Sequence, residues 1–395
     1  MKTQLSFALR VWILSAIGLA LSVGGCRAQD LAWTRYFVGH DYVKNSLAVV
    51  PAELNSHLIA CMTENGGEHA RLLLLNDLGD SLWSADVCPG GLVSLRKLPA
   101  GGFIAAGWKH TVSGDDALLV RGANREILWS RTYGGSRKDE FTDVQATLDG
   151  GFVGCGFSGS FNPDKRRDLF VVRTDSAGDT LWSRVFESPG NQGWFRVVQS
   201  PDSGFAVVVT SYIVNTDQPR RIKLCLLRLD ENGNRLWERF YGPEYSVESP
   251  HFLVQDSGFV ICANRQTAKR KDGHCNYRVY LLRLDTHGDT LWTRSYGDER
   301  RESLIAGSIV ALCDGYLIAG TDGSVAYPFI MKVGLQGDSL WTRRYSHGTN
   351  SNYDVAAALS HDGGCVLAAQ GLRYDKKKRD YVPQGLVVMK TKPLP

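Results

Sequence analysis

Apolar and polar positions alternate along this chain in short bursts separated by glycine-rich turns. Over residues 141–186, FTDVQATL (141–148) leads through DGG into FVGCGFS (152–158), and LFVVRTD (169–175) leads through SAGD into TLWSRVF (180–186). Runs of this length and composition, bounded by Asp, Gly and Ser, mark strands joined by tight hairpins. Gly178 supplies the positive φ that such a turn needs. The segment therefore predicts four strands, called a, b, c and d in chain order. The chain beyond residue 30 carries no helical periodicity.

The same four-part pattern recurs. Strand b is recognisable as GFIAAG (102–107), GFAVVV (204–209), GFVICA (258–263) and GYLIAG (315–320), and strand c as LLRLD at 226–230 and 281–285. Strand d carries Trp33, Trp83, Trp129, Trp182, Trp237, Trp292 and Trp341, spaced 46 to 55 residues apart. Four short strands per unit at this period predict an all-β, seven-bladed β-propeller of four-stranded antiparallel blades. The last strand c, LVVMKT from Leu386, has no strand d after it, whereas LAWTRYF (31–37) precedes the first strand a without a strand c of its own. The N-terminal strand is thus expected to complete the last blade and close the ring, removing two exposed sheet edges. We number the units by their strand a, so residues 31–37 belong to the seventh. The tryptophans are expected to be packing residues between blades.

The strings DTHGDTLWTRSYGD (285–298) and TLDGGFVGCG (147–156) resemble the Trp-marked propeller repeats of exported bacterial proteins over about residues 31–391. The resemblance implies the fold and says little about activity. A looser similarity runs to quinoprotein-like propellers, which include quinone-dependent dehydrogenases and a non-enzymatic envelope lipoprotein. No cofactor ligand set can be matched to residues of this chain, and none is expected.

Composition agrees with one large globular domain: 395 residues, 43% hydrophobic and 22% charged, with 42 glycines. Residues 1–25 read as a signal peptide, with Lys2 and Arg10 ahead of an apolar run from Val11 to Val23. The following VGGC resembles a lipobox in which Cys26 is acylated. Cleavage after Ala28 by the ordinary signal peptidase is the competing reading. Residues 26–30 would then be a short tether and 31–395 the propeller. The expected location is the cell envelope, as an outer-membrane lipoprotein, or otherwise the periplasm or medium, with membrane contact only through the lipid. A formal charge of +4, falling to about +2 without Lys2 and Arg10, gives no reason to expect nucleic acid.

Several candidate chemistries fail on register. The two GDSL strings, with Ser81 and Ser339, fall in c-to-d hairpins where other units carry GDTL or GNRL, so neither serine reads as a nucleophile. The turns DSAGD, DENGN and DTHGD lack the ligand spacing of a calcium loop and read as aspartates capping turns. Cys61, Cys155 and Cys262 read as equivalent small core residues of separated blades, too far apart to pair. Cys88 and Cys275 read as loop cysteines, and His40, His110, His274 and His347 as solvated loop histidines. No metal site is expected.

The a-to-b and c-to-d hairpins are short and uniform, whereas the b-to-c and d-to-a connections on the opposite face are long and varied, which is where binding usually resides. Four b-to-c loops are basic, with Lys165, Arg166 and Arg167; Arg220 and Arg221; Lys269, Arg270 and Lys271; and Lys376, Lys377 and Lys378. The d-to-a loops are mixed and include Asp139, Glu140, Trp194, Glu248, Glu302, Tyr353 and Asp354. A basic ring around a partly acidic mouth predicts a monomeric binding or scaffolding module for an anionic glycan or an acidic envelope protein. The alternative is a propeller enzyme, either a quinone-dependent dehydrogenase or a carbohydrate-active hydrolase or lyase.

Overall fold

The computed structural model describes residues 30–395 apart from 38–42, 54, 65–66, 163–166, 188–192, 214–220, 243–245, 256–257, 268–275, 299–301, 347–349 and 376–379. The signal segment, the acylation candidate Cys26, and His40, His274, His347 and Cys275 lie outside the described residues. The described chain forms 27 strands, and neighbouring strands pair antiparallel throughout, as in Phe152–Ser158 with Asp168–Thr174. Both faces of each sheet are apolar because each is covered by a neighbour. Along strand c of the third unit, Leu169 and Val171 enter the cluster shared with the fourth unit. Phe170 and Val172 enter the cluster shared with the second.

Seven such clusters lie between successive units. One of them joins Ile59 and Cys61 of the first unit to Val366 and Val388 of the seventh. The a strands touch in a closed cycle, with Val43–Pro51 lying against Asn350–Leu359. The orphan strand Leu31–Phe37 pairs with the strand Asp380–Thr391 from Leu31↔Thr391 to Phe37↔Leu386, as the pattern predicted.

The strands fall into six hydrogen-bonded sheets rather than seven: five of four strands and one of seven. The first two units share the 17-residue strand Ser81–Lys97. Its first half, from Ser81 to Pro89, pairs with the first unit's strand c. Its second half, from Gly90 to Lys97, pairs with the second unit's strand b. The cause is local. Elsewhere a loop separates strand d from the next strand a, but here Gly90, at φ +133°, and Gly91 carry the chain straight through, pressed against Trp108.

The repeated Trp, Arg and Tyr of strand d act together on the next unit. Gly79, Gly178, Gly233, Gly288 and Gly337 sit at φ +78 to +85°, against the indoles of Trp33, Trp129, Trp182, Trp237 and Trp292 respectively; a Cβ on any of them would lie 2.7–3.2 Å from the ring. Two residues after the tryptophan, an arginine lies over the ring at 5.4–5.8 Å in five units. It also reaches the aspartate after that glycine, as in Arg131–Asp179 at 3.5 Å, Arg35–Asp80 at 3.9 Å and Arg239 with Asp289. Four residues after the tryptophan, Tyr133, Tyr241 and Tyr296 donate to the carbonyls of Gly178, Gly288 and Gly337 at 2.6–2.8 Å. The tryptophans are half-buried rather than fully enclosed. Covering about 100 Å² of each indole contributes on the order of 2–3 kcal/mol.

The seam and the shared strand show this contact made and omitted. In the seventh unit Asp30 stands three residues before Trp33, in the register that Asp289 holds before Trp292, and Arg343 of the sixth unit pairs with it at 3.7 Å. Where the first two units share a strand, Trp83 is followed by Ala85 and Val87. The facing turn is Asn124–Arg125, at φ +52° and +64°, without a glycine. A continuous backbone there replaces the side-chain contact.

Three expectations need correcting. Cys61 is one residue out of register: Ala60 pairs with Ala48 as Cys155 pairs with Asp143 and Cys262 with His251. A one-residue shift reverses the face, so Cys61 points to the seventh unit while Cys155 and Cys262 point to the unit that follows. All three are nevertheless buried. Cys88 lies in the shared strand, and burial pushes its thiol up to about 11, which disfavours redox chemistry. His110 lies on a strand with two carboxylate partners.

Replacing Gly288 with Ala is expected to destabilise the fold by about 2–4 kcal/mol, since its Cβ would meet both the Trp237 ring and the Tyr241 hydroxyl. Gly150→Ala, at a similar φ of +85° with nothing within 4 Å, is expected to cost only about 1 kcal/mol of backbone strain. Urea unfolding of both variants compares them; equal losses would show that the interunit contact contributes nothing.

Candidate functional site at the channel axis

The inner strands carry a shared irregularity. Bulges interrupt strand a of the first, second, third, fifth, sixth and seventh units at corresponding places. A bulge re-aims the side chains beside it, and here Ser94 and Asp143 each reach the strand a of the unit that follows. Ala48, Ser94, Asp143, Arg196, His251, Ser308 and Ala356 pair with the corresponding residue of strand b in each unit, so they form one ring around the axis.

Polar groups crowd one half of that ring. Asp143 is buried and accepts from Ser94 Oγ at 2.7 Å, Arg96 Nη2 at 2.7 Å and the Val197 amide at 3.1 Å, tying the second, third and fourth units together. Arg196 donates to the carbonyls of Thr142 at 3.1 Å and Phe195 at 2.9 Å, and its guanidinium lies 5.8 Å from the Trp194 ring. His251 follows. Burial, with Arg196 and Arg96 adding to it, lowers its pKa to about 3, so the imidazole is neutral. The other half of the ring is small: Ala48, Ala356 and, one step along, Ala358. Arg96 and Arg196 both act on the buried His251, so positive groups gather on the polar half of the ring.

On the irregular face, charges form chains between units. Glu68 of the first unit, His110, Asp115 and Lys138, and Glu140 of the third are linked by contacts of 3.2, 2.5, 3.0 and 2.6 Å. Burial pushes the Asp115 carboxyl up, but hydrogen bonds from His110 and Lys138 outweigh it and hold it below the usual range. Burial raises that of Glu140, offset in part by Lys138. Arg344 bridges Glu302 at 2.6 Å and Asp322 at 2.7 Å. Glu248 accepts from Gln266 at 2.7 Å. Asp139 is fully buried and accepts from Ser158, from Ser160 Oγ at 2.6 Å and from the Gly135 amide at 2.7 Å. Asp139, Glu140, Glu248, Tyr353 and Asp354 lie on strand a rather than in d-to-a loops.

Of the basic ring, Arg167 is described, with its guanidinium 4.6 Å from the Phe157 ring. Lys165, Arg166, Arg220, Lys269, Arg270, Lys271, Lys376, Lys377 and Lys378 lie outside the described residues; so do the side chains of Arg221, Tyr353 and Asp354. Trp194 is 38% exposed. On the opposite face the capping aspartates act as expected: Asp230 and Asp285 each accept two backbone amides within their own turn.

Sequence reasoning missed Ser94, Arg96, Asp143, Arg196 and His251. The available signal was a polar interruption at one register of an otherwise apolar strand a, in LVSLRKL (92–98), FTDVQA (141–146) and FRVV (195–198). It also missed His57, buried where other units place Phe103, Phe152, Phe205 and Phe259. Burial, opposed by Asp77 and reinforced by Lys390, lowers its pKa to about 4.

These two histidines set a pH dependence. Each is neutral in the folded chain, with a pKa below the unfolded value near 6.5, so as pH falls the unfolded chain takes up protons first. The stability they contribute is whole above about pH 6.5 and is lost as pH falls toward about 4 for His57 and about 3 for His251. At about pH 5 the His57 loss is roughly 2 kcal/mol. The His57→Phe variant is expected to lose less stability than the parent between about pH 7 and 5. Urea unfolding at both values checks this, and identical losses would exclude His57 as a source.

No family model matches this chain, and no curated relative does. Solved structures do. The chain is similar to Kuenenia stuttgartiensis hydrazine synthase, at 9% identity and a TM-score of 0.56, over 93% of this chain and 99% of the other. It is similar to the WD40 domain of Neurospora crassa Pan2, at 9% identity and a TM-score of 0.55, over 90% of both chains. It is also similar to a Dyadobacter fermentans protein of unknown function, at 8% identity and a TM-score of 0.51, over 91% of this chain and 99% of the other. At such identities the likeness extends to the fold alone, which is that of a β-propeller.

Proposed function

We propose that this chain is an exported, non-catalytic, seven-bladed propeller that binds an anionic glycan or an acidic envelope protein through its irregular-loop face. The seven-stranded sheet is read as two blades sharing one strand, in keeping with seven interunit clusters and seven inner strands in a closed cycle. The Trp-marked repeat of exported bacterial proteins is the family this reading favours. The protein is a monomer held to the outer membrane by acylated Cys26, and a tether of four residues before Leu31 leaves the irregular face pointing outward.

The observation that carries the reading is the difference between the two faces. On one, repeated Trp, Arg and Tyr side chains hold each c-to-d turn in the same place. On the other, loop length and charge change from unit to unit, and the basic clusters at 164–168, 218–223, 267–274 and 375–380 fall there. The described carboxylates near the mouth are engaged by Lys138, Arg344 and Gln266, an arrangement better suited to recognition than to paired acid and base catalysis.

Binding of the mature chain to lipopolysaccharide and to alginate is expected to weaken about 10-fold or more between about 50 and 500 mM salt. Replacing Lys269, Arg270 and Lys271 together by Ala is expected to weaken it about 5-fold at low salt while leaving the melting temperature unchanged. Surface plasmon resonance on immobilised polysaccharide measures both. Binding that ignores salt and these three residues would overturn the assignment to this face.

A further inference from the structure

A groove of about 370 Å³ opens on the uniform face between the fourth and fifth units. Its floor is apolar, made by Trp237, Phe259 and Val254; the Ser200–Pro201–Asp202 turn of the fourth unit forms one wall and Thr286 and His287 of the fifth the other.

The preceding interunit junction shows why this one is open. There Gln199 reaches from the fourth unit to the third, accepting from the Leu148 amide at 2.7 Å and donating to the Ser203 carbonyl at 3.2 Å. At the next junction the residue in the register of Gln199 is Val254, since Gln199 pairs with Phe205 and Val254 with Phe259. The residue in the place of Leu148 is Pro201, since Thr147 and Ser200 make the same turn bond, to Gly151 and Gly204. Proline has no amide to donate and valine nothing to accept it, so both halves of the strap are missing together.

The same turn leaves a polar group unmet. Thr147 Oγ1 donates to Asp149 at 2.7 Å, but Ser200, only 4% exposed, has a buried Oγ without a hydrogen-bond partner. That oxygen has essentially no accessible surface, so it lies behind the groove wall rather than on it. Beside it stands the Arg228–Asp202 pair, whose carboxylate is 67% exposed and open to further donors.

We propose that this groove is a binding site for one neutral sugar ring, whose C–H face lies on the apolar floor and whose hydroxyls meet the exposed Asp202 carboxylate. The volume is in the range of small-ligand sites. A ring bearing hydroxyls donates to the carboxylate without bringing a charge against the arginine–aspartate pair. The site is independent of the basic loops, which lie on the opposite face.

Saturation-transfer-difference NMR of the mature chain with glucose, galactose, mannose and N-acetylglucosamine tests it. At least one is expected to bind with a dissociation constant on the order of 1 mM, unaffected by salt and by the Lys269, Arg270 and Lys271 substitutions. Asp202→Asn is expected to weaken that binding about 5-fold or more while the chain stays folded by circular dichroism, because it removes the charged acceptor. Val254→Trp, which fills the groove, is expected to abolish the signal while the chain stays folded by circular dichroism. Should that variant unfold, Val254→Met is measured in its place, with at least a 5-fold loss expected. Absence of transfer from all four sugars, or transfer that survives both Asp202→Asn and the folded groove-filling variant, overturns the proposal.

Discussion

The contact on which the ring depends is an indole laid against a glycine in the next unit, held by an arginine and a tyrosine from the same strand. Trp237, Arg239 and Tyr241 engage Gly288 and Asp289 in this way. A sheet with two apolar faces cannot be stable alone, because covering one face leaves the other wet. The eleven-residue string in strand d and the turn before it resolves this by carrying both halves of one joint. Its glycine and aspartate receive the preceding unit, and its Trp, Arg and Tyr reach into the next. A chain that repeats the string therefore specifies its own stacking, and closure requires only that the last joint find a first. Arg343 meeting Asp30 is that closure.

Fixing one end of every sheet has a consequence at the other. Hairpins on the uniform face are constrained by neighbours on both sides, so their sequence varies little. Loops on the opposite face need only span a distance, and their length and charge are free to diverge. Between the two faces, the narrow axis admits few side chains, and the ones present are chosen for mutual satisfaction. Asp143 is placed where Ser94, Arg96 and the Val197 amide can all reach it. Buried without them, that carboxylate would cost several kcal/mol. The cluster thus joins three units.

Departures from the repeat are informative because the repeat supplies the expectation. Where units one and two share a strand, the arginine and tyrosine after Trp83 and the glycine facing it are all absent, so loss of the joint and gain of a continuous backbone go together. Where Gln199 gives way to Val254 and Leu148 to Pro201, donor and acceptor disappear as a pair and a groove remains. His57 in a phenylalanine position makes the closing interface sensitive to acid.

Sequence alone determined the strand content, the hairpin turns, the seven tryptophan-marked units and the pairing of residues 31–37 with the last strand c. These follow from local rules: two-residue alternation, glycine where φ is positive, and a fixed period. The roles of Arg294 and Tyr296 beside Trp292 were half legible, since alternation places them on one face but does not say what that face meets. Ser94, Asp143, Arg196 and His251 were not legible as a group, because they come from four units some fifty residues apart and only the curvature of the ring brings them to one level. Cys61 was misplaced for a related reason: counting from the first bulky residue took Leu58 for a position that His57 fills, and one residue reverses a strand's face. Tertiary structure decided which of two chemically similar positions became a buried clip, an open groove or a shared strand, because each depends on the neighbour across an interface that the linear pattern does not contain.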